Sequence, residues 1–400
     1  PHSPTRRAGR NLMKPRVMVL TPAIGRRGGG VSEAARLFVT ALVAEGRFAP
    51  EVVTLNDDSF AADRANWPAV PIHGFRSYGP SNFGFSPGML LHVLRNRDAA
   101  LVHVHGIWMF HVFCAALWCK LRRRPAVVTP HGMLETWILK RSPRLKAAVS
   151  RLYQARFLAG AAAIHVLTGK ETNDVAQAGL PTARCHVIPN YALPPADDAA
   201  MPRWWQPEFA ERRIFLFFGR IHDKKGWREL CAAWTQLSAS DPSFCRSAQL
   251  VFCGWPDSCP DFEPTVVALA ERFGNILFAG PQFGIERDHS MAAADIFVLP
   301  SKSEGLPMAV LEAWAAGVPS LMTRACNLDQ GFGAGAAVEV GKDATTIAEG
   351  MVRIMAWSDE TLDQARTSAR TLVAAEFSQD GVAKRYADLI ASCMPMKKSQ

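Results

Sequence analysis

Short apolar runs alternate with amphipathic stretches along nearly the whole chain, and this alternation limits the fold more than any other feature. Apolar runs bounded by turn residues predict buried strands, and the stretches between them have the period of helices. Strands and helices in this order are typical of parallel sheets covered by helices, not of bundles or sandwiches. Strands are predicted at 16–21, 51–55, 101–105, 126–130, 163–167 and 186–188, and again at 214–219, 250–253, 276–279, 296–299 and 320–323.

The two series of strands indicate two domains, because 400 residues exceed what one hydrophobic core usually organises. The alternation stops near residue 190, where a stretch rich in proline, aspartate and tryptophan begins. We therefore expect an α/β protein with two Rossmann-like domains. The predicted segments are a disordered basic tail (1–15), an N-terminal domain (16–192), a linker (193–210), a C-terminal domain (211–376) and a C-terminal helical segment (377–400).

The net charge of +9 is compatible with a nucleic acid, an anionic membrane or a phosphorylated small molecule as partner. Basic residues concentrate at 6–16, at 122–124 and at 397–398, and no aromatic residues interleave them, which argues against nucleic acid. Two interpretations remain open: a solvated tail with an ordinary surface, or a patch that contacts an anionic membrane.

The chain shows neither a run of eighteen apolar residues nor a signal peptide, so we expect a cytoplasmic protein, with the inner face of the membrane as an alternative place. Its nine cysteines are scattered and form no CxxC cluster. We therefore interpret them as reduced thiols and expect no zinc site.

The segment LPSKSEGLPMAVLEAWAAGVP (299–319) carries the most chemical information. It follows an apolar strand, and open α/β sheets bind their ligands at the carboxyl ends of their strands. Pro307 suits the first position of a helix, and Gly317 suits its end. The N-terminus of such a helix attracts anions. Glu304 and Glu312 are expected on one helix face, roughly 12 Å apart, where they could grip both ends of a nucleotide-sugar. The alternative is that Glu304 caps the helix and Glu312 is solvated.

A second motif, FFGRIHDKKGW (217–227), opens the C-terminal half. A strand ends at Gly219, and Arg220 and Lys225 follow within one loop. These two cations could converge on one diphosphate, the arginine through planar two-point bonds and the lysine as a point charge. Basic loop residues are usually solvated, so this motif predicts a diphosphate site only in combination with the glutamate motif downstream.

The runs FFGRIHDKKG, GPQFG and ADIFVLPSKSEGLPMAVLEAWAAGVP, with VIPNYA upstream, resemble the retaining GT-B glycosyltransferases of family four. The resemblance implies two domains facing each other across a cleft and a last helix that crosses back to the N-terminal domain. It implies that Glu304 touches the donor sugar, Glu312 the ribose, and Arg220 and Lys225 the diphosphate. The residues expected to bind the donor are Gly28, Gly29, Gly30, Gly219, Arg220, Lys225, Glu304, Gly305, Leu306, Pro307 and Glu312.

In the N-terminal half, PAIGRRGGGVSEAA is similar to the glycine-rich loop of that family, although a plain flexible turn is the alternative. The TPHG turn places His131 just after a strand, where the family carries a histidine near the donor sugar. His105 and Trp108 are candidates for the acceptor side, with a packed core histidine as the other interpretation of His105. His103 is expected to face away from His105.

The resemblance implies a retaining mechanism in which Glu304, His131, Arg220 and Lys225 are catalytic and the departing diphosphate is stabilised electrostatically. We expect no metal and no other cofactor, since a strand-end Asp-x-Asp is absent. The expected partners are a nucleoside-diphosphate-sugar and a glycan, lipid-linked or small-molecule acceptor. Two alternatives stay open: a nucleotide-sugar epimerase, for which Glu33 and Glu135 are candidate acids, and a non-catalytic binding protein. The motifs leave the base, the sugar and the linkage undetermined.

Overall fold

The computed structural model describes residues 14–25, 28–58, 60–80, 82–139, 142–195 and 200–394. The predicted basic tail therefore lies outside the described residues, apart from Lys14 and Pro15. Arg26 and Arg27 of the glycine-rich segment also lie outside them. Within the described chain, two parallel sheets are present, each covered by helices, which confirms the predicted α/β class.

The first sheet has the strand order β3-β2-β1-β4-β5-β6-β7 in the described residues, and every pairing is parallel. Its strands are β1 (Arg16–Leu20), β2 (Ala49–Leu55), β3 (Ile72–Phe75), β4 (Ala99–His105), β5 (Ala126–Thr129), β6 (Ala163–Val166) and β7 (Cys185–Val187). The helices between them are α1 (Gly29–Glu45), α2 (Phe60–Arg64), α3 (Pro87–Arg95), α4 (Phe110–Arg122), α5 (Thr136–Leu139), α6 (Pro143–Val149), α7 (Ala155–Gly160) and α8 (Gly169–Gln177). A π-helical turn at Ser150–Gln154 joins α6 to α7.

The second sheet has the order β10-β9-β8-β11-β12-β13, again with parallel pairings only in the described residues. Its strands are β8 (Arg213–Phe218), β9 (Ala248–Cys253), β10 (Ile276–Gly280), β11 (Ile296–Leu299), β12 (Ser320–Met322) and β13 (Ala337–Glu339). The accompanying helices are α9 (Trp227–Ser240), α10 (Pro242–Ser247), α11 (Phe262–Phe273), α12 (Ile285–Ala292), α13 (Met308–Ala316), α14 (Gln330–Gly333), α15 (Ala344–Met355), α16 (Asp359–Glu376) and α17 (Gln379–Cys393).

Each sheet belongs to its own compact unit with its own core. Among the described residues, the first unit consists of the chain up to Val166, Glu171–Ile188 and the chain from Ala383 onward, and the second of Leu167–Lys170 and Pro189–Val382. The last helix, α17, starts in the second unit and belongs to the first unit from Ala383 onward, as predicted. There Tyr386 makes edge-on ring contacts with Phe38 and His165, at centroid distances of 5.0 and 5.2 Å.

Three local predictions were wrong. The apolar period after the glycine-rich turn predicts a helix from Ser32 to about Glu45, but helix α1 begins at Gly29, because the glycines that open its first turn carry no side chain to reveal a helical period. The strands β3 and β13 were missed, since each is only three or four residues long and mostly half-buried or exposed. Helix α13 begins at Met308, and Pro307 precedes it in an extended conformation (ψ 101°), because the fixed φ of proline is compatible with both positions.

No helix among the described residues is long and apolar enough to cross a membrane.

Candidate functional site

The order of the second sheet changes direction between β8 and β11, which pair with each other although β9 and β10 lie on the far side of β8. Ligands of open α/β sheets bind outside the carboxyl ends of the strands at such a switch point. Gly219 and Arg220 follow β8 directly, and the loop that holds Glu304 follows β11. Both sequence motifs of this half therefore meet at the place where the fold binds ligands.

Close backbone packing fixes the two loops against each other. Gly226 has a positive φ of 74°, and a Cβ atom there would lie 2.1 Å from the carbonyl oxygen of Pro300. The backbone N–H of Lys302 donates to the carbonyl of Lys224 at 2.7 Å. Gly254 packs equally closely against Gly219, because a Cβ atom at Gly254 would lie 1.8 Å from the carbonyl oxygen of Gly219. These contacts require glycine and leave the loops little freedom.

Glu304 is a buried carboxylate, with 7% of its surface exposed. Its Oε1 atom accepts a hydrogen bond from the Ser301 hydroxyl at 2.6 Å and lies 2.7 Å from the Nζ atom of Lys225. Its backbone N–H donates to the carbonyl of Ala325 at 3.0 Å. A buried carboxylate is tolerated only when it is paired and hydrogen-bonded, and Lys225 and Ser301 meet that requirement.

The loop between Glu304 and helix α13 is held by a side chain that sequence reasoning missed. The Asn327 amide donates to the carbonyls of Glu304 and Gly305, at 2.7 and 2.9 Å. Leu306 and the buried Pro307 complete the loop. Helix α13 then begins without a side-chain cap, so the N–H groups of its first turn are not satisfied by a capping side chain of the described chain. Such a terminus suits an anionic ligand.

The prediction that Glu304 and Glu312 share a helix face was wrong, because Glu304 lies in the loop before α13 and only Glu312 lies on the helix. The estimated separation of about 12 Å assumed a continuous helix and does not apply. Glu312 is half-buried, and its Oε1 atom accepts from Arg287 at 3.1 Å. Arg287 lies on α12 and was not identified from the sequence. The carboxylates thus sit on different elements, each with its own cation.

Arg220 and Lys225 lie in the same loop but have different carboxylate partners. The Arg220 guanidinium is exposed and donates to Asp257 at 3.0 Å, whereas the Lys225 ammonium faces buried Glu304. An exposed ion pair in water is weak, so Arg220 can leave Asp257 for a ligand at little cost. Lys225 is held more firmly, because its partner is buried.

In the first unit, a cavity of about 600 Å³ lies at the carboxyl ends of the strands. Such a volume is typical of a small-molecule site. Gly28 lies at its wall, and the exposed Gly29 and Gly30 follow at the start of α1. The lining residues are Pro22, Ala23, Gly28, Val31, Leu55, Asn56, Asp57, Ser77, Asn82, Met109 and Met133. The cavity thus combines apolar walls with a few hydrogen-bonding groups.

A ladder of hydrogen-bonded imidazoles lies beneath the loops after β4 and β5. His103 bonds Thr129 through Nε2 at 2.7 Å, and the Thr129 hydroxyl bonds Nδ1 of His165 at 2.8 Å. Nε2 of His165 donates to the carbonyl of Ile188 at 2.8 Å. The ring of His103 lies 4.4 Å from that of His105, so the prediction that they face opposite sides was wrong. Residues two apart in a strand share a face.

His105 packs its ring against that of His103 and is hydrogen-bonded to His131, with 3.0 Å between Nδ1 of His105 and Nε2 of His131. Nε2 of His105 is buried without a partner among the described residues. A proton there would create an orphaned buried N–H, which is rare in folded proteins. We infer that His105 carries its proton on Nδ1 and donates it to His131, whose own proton then resides on Nδ1.

Burial keeps these histidines neutral. It lowers the pKa of His131 to about 3 and that of His165 to about 4. The buried His111, whose Nε2 atom donates to the carbonyl of His105 at 3.1 Å, also has a pKa lowered to about 4. The pKa values of His103 and His105 are lowered well below the ordinary value by the same cause, reinforced by neighbouring imidazoles. His131 therefore acts as a neutral hydrogen-bonding group at physiological pH.

Two non-glycine residues of these loops adopt the left-handed region, His131 with φ 54° and Trp108 with φ 75°. Such strained residues cluster at functional sites. The backbone N–H of Trp108 donates to the buried Gln154 at 2.8 Å, and its indole N–H donates to the carbonyl of Met133 at 3.1 Å. Gln154 belongs to the π-helical turn, which no sequence pattern revealed.

Among the described residues, no group of three histidine, cysteine, aspartate or glutamate side chains is arranged to hold a metal ion. The nine cysteines are free thiols in the structure.

The chain matches two family models. A "Glycosyl transferase 4-like domain" matches residues 29–191, and "Glycosyl transferases group 1" matches residues 212–356. Together the two matches cover most of the chain, one in each half.

Curated relatives include a GDP-mannose:cellobiosyl-diphosphopolyprenol alpha-mannosyltransferase of Xanthomonas oryzae, 26% identical over 80% of this chain and 80% of the relative. A D-inositol 3-phosphate glycosyltransferase of Salinispora arenicola is 31% identical over 26% of this chain and 25% of its own length. The matched part of this chain thus spans only about a quarter of that relative.

Among solved structures, Anabaena HepE in complex with UDP and glucose has a TM-score of 0.72 at 17% identity, covering 94% of this chain and 99% of that chain. The lipopolysaccharide glycosyltransferase WaaG has a TM-score of 0.66 at 16% identity, covering 94% and 99%. At this identity the likeness shows the fold, which is that of GT-B glycosyltransferases.

Proposed function

Because the chain belongs to the family-four glycosyltransferases of GT-B fold, we propose that it transfers a sugar from a nucleoside-diphosphate-sugar to a glycan or lipid-linked acceptor, with retention of anomeric configuration. The observation that carries the proposal is the ion pair of Lys225 with the buried Glu304 at the switch point of the second sheet, beside the uncapped N-terminus of α13. A diphosphate needs cations and free N–H groups, and a sugar needs a hydrogen-bond acceptor. This edge of the sheet has all three.

We assign the donor contacts from these positions. Lys225, Arg220 and the first turn of α13 would bind the diphosphate. Oε1 of Glu304 is engaged by Ser301 and Lys225, so Oε2 is the oxygen that we expect the donor sugar to meet. Glu312 would accept from the ribose, with Arg287 orienting its carboxylate.

In the proposed reaction, the bond between the anomeric carbon and the diphosphate breaks while the acceptor oxygen attacks from the face that the diphosphate leaves. The acceptor proton passes to the departing phosphate. Negative charge grows on the diphosphate, and Lys225 and Arg220 would stabilise it. His131, neutral and protonated on Nδ1, would donate a hydrogen bond to a sugar oxygen instead of moving a proton.

The relatives favour an acceptor used in cell-surface glycan assembly. One relative is named for a diphosphopolyprenol-linked acceptor, and others are putative colanic acid and teichuronic acid biosynthesis glycosyltransferases. We propose that the cavity of the first unit receives the terminal sugar of such an acceptor, because Asn56, Ser77 and Asn82 could hydrogen-bond its hydroxyls.

A thermal-shift panel of UDP-, GDP-, ADP- and dTDP-sugars would test the donor assignment. A true donor at one hundred times its dissociation constant should add about 2.7 kcal/mol of stability. The stabilising donor would then be incubated with and without polyprenol-linked acceptors, and the anomeric configuration of the product read by NMR. Failure of every nucleotide-sugar to stabilise the protein would refute the proposal.

The same experiment separates the open alternatives. An epimerase would convert the bound sugar without an acceptor, and it would need a carboxylate as general base. Glu135 is a candidate because it lies next to the His131 turn, where its backbone N–H donates to the carbonyl of Gly132 at 3.0 Å. A non-catalytic binding protein would be stabilised by the nucleotide-sugar yet release no nucleoside diphosphate.

A further inference from the structure

Positive charge is concentrated in one part of the first unit. Between Ala99 and Lys170 the chain has eleven lysines and arginines and a single acidic residue, Glu135, which is buried. The excess in this stretch accounts for the net charge of the whole chain, which is +9. The remainder of the protein is therefore close to neutral, and the charge of this stretch has to be explained separately.

The helical segment Pro143–Gly160, made of α6, the π-helical turn and α7, presents much of this charge on its outer side. Arg144, Arg151 and Arg156 are exposed there. Leu145 of α6 and Leu152 of the π-helical turn lie seven residues apart in the same segment and are 63% and 78% exposed. A single exposed leucine is common on a protein surface, but leucines grouped in one apolar patch mark an interaction site, and these leucines stand among arginines instead of acids.

The neighbouring loop extends this surface. Arg123 and Arg124, at the end of α4, line one groove together with Arg156 of α7. Leu121, on the last turn of α4, is 61% exposed. Two separate elements thus present the same combination of guanidinium groups and exposed leucines. We call the surface formed by Leu121, Arg123, Arg124, Arg144, Leu145, Arg151, Leu152 and Arg156 the basic leucine face.

We propose that the basic leucine face docks the enzyme onto an anionic lipid bilayer. Anionic headgroups neutralise the arginines, and the exposed leucines enter the boundary between headgroups and acyl chains, which is how amphipathic helices bind membrane surfaces. Nucleic acid would satisfy the arginines but offers no apolar phase to the leucines, and the residues of this face include no aromatic side chain on which the bases of a single strand could stack.

The inner side of the same helical segment contacts the loop after β4, which holds Trp108, a candidate residue for the acceptor side. Gln154 of the π-helical turn accepts the backbone N–H of Trp108, and the Lys146 ammonium lies 5.5 Å from the centre of the Trp108 ring. A bilayer bound to the outer side would lie one helix away from the loop after β4. This arrangement suits an acceptor carried by a lipid, and in that respect the inference extends the proposed function.

Co-sedimentation of the purified chain with vesicles tests the proposal without any donor or acceptor. We expect binding to vesicles that contain phosphatidylglycerol and much weaker binding to pure phosphatidylcholine. Arg151→Ser combined with Arg156→Ser should weaken binding roughly thirtyfold at low salt, at about 1 kcal/mol per arginine. Leu145→Ser combined with Leu152→Ser should weaken it at least about tenfold, at low and high salt alike.

Matched controls lie on other surfaces. Leu91→Ser removes a leucine that is 50% exposed on α3, and Arg246→Ser removes an exposed arginine of α10. Both should bind vesicles like the wild type, and circular dichroism melting checks that every variant folds. Failure of the wild type to bind anionic vesicles, or equal losses in the controls, would overturn the proposal. Release of nucleoside diphosphate from the donor by the face variants reports separately on the proposed function.

Discussion

The ammonium of Lys225 lies 2.7 Å from the carboxylate of Glu304, so residues from two sequence motifs far apart in the chain form one ion pair. Glu304 is buried and takes a further hydrogen bond from Ser301. In the absence of a donor, each charge neutralises the other. A bound diphosphate would compete for Lys225 while a donor sugar engages Glu304, so donor binding and this ion pair are coupled.

This coupling predicts a stability effect. Lys225→Met leaves the Glu304 carboxylate buried without its cation and should lower the free energy of unfolding by about 3 kcal/mol. Adding Glu304→Gln should restore part of the loss, because the charge that lacked a partner is gone. Urea denaturation of the single and double variants measures both values.

The Lys302–Glu229 pair provides the control, since its atoms are also 2.7 Å apart but the side chains are 40% and 25% exposed. Lys302→Met should cost no more than about 1 kcal/mol. If both lysine variants lowered the free energy of unfolding equally, the burial of Glu304 would not explain the cost of breaking its ion pair.

The two glutamates are predicted to have separable roles. Glu304→Gln should mainly reduce turnover, by about a hundredfold, because it changes the group that meets the donor sugar and removes the partner of Lys225. Glu312→Ala should mainly weaken binding of donor and nucleoside diphosphate, by roughly tenfold. Initial-rate kinetics and calorimetric titration distinguish the two effects. Glu271→Ala, on the exposed side of α11, is the control. Normal turnover and affinity in both site variants would refute the assignment.

The histidine ladder predicts acid sensitivity. A histidine whose pKa is lowered in the folded state binds fewer protons there than in the unfolded chain, so stability falls as pH drops below about 6.5. For His165, with a folded pKa of about 4, the loss between pH 6.5 and 5 should be about 1.5 kcal/mol. Urea denaturation at pH 5 to 7.5 should show a shallower pH dependence in His165→Gln. His186→Gln, at an exposed position, should keep the steep one.

Much of the fold could be predicted because its signal is repeated along the chain. Eleven apolar runs and the helices between them fixed the class, and the strands that form the middle of both sheets were among them. The edge strands β3 and β13 gave no signal, because short strands that are only half-buried need few apolar residues. The glycines at the start of α1 and Pro307 before α13 are compatible with more than one backbone conformation, so both boundaries were misplaced.

Less of the site geometry could be predicted. The motifs indicated Glu304, Glu312, Arg220 and Lys225 as candidates, but the pairing of Lys225 with Glu304 depends on how two loops pack, which no local pattern encodes. The sequence did not reveal Arg287 and Asn327, because the residues that they contact are distant along the chain. Ser301 is close to Glu304 in the sequence, but a single serine gives no signal of a site. The prediction for His103 was wrong because residues two apart in a strand point to the same face of the sheet, which places its ring beside that of His105.

Independence from metal ions remains a prediction. Lys225, Arg220 and the start of α13 together offer enough positive charge for a diphosphate. Activity should therefore persist in excess EDTA, within about twofold of the untreated rate. Loss of activity on chelation, restored by magnesium or manganese, would contradict it and would shift leaving-group stabilisation from side chains to a metal.

The last prediction concerns Arg220, whose guanidinium is exposed and donates to Asp257 at 3.0 Å. Charge on the diphosphate grows as the bond to the sugar breaks, so an arginine that faces it should bind the transition state more tightly than the donor. Arg220→Ala should then reduce turnover by about a hundredfold or more, with a smaller loss of donor affinity. Arg220→Lys keeps the charge but loses the planar fork, and it should recover only part of the rate.

Stability distinguishes this role from a structural one. The ion pair with Asp257 is exposed, so Arg220→Ala should change the free energy of unfolding by less than about 1 kcal/mol. Asp257→Asn is the matched control, because it removes the partner but leaves the guanidinium free to meet the diphosphate, and it should retain turnover. Should Arg220→Ala bind the donor poorly yet turn over normally at saturation, Arg220 would bind ground state and transition state equally, and leaving-group stabilisation would rest on Lys225 and the first turn of α13.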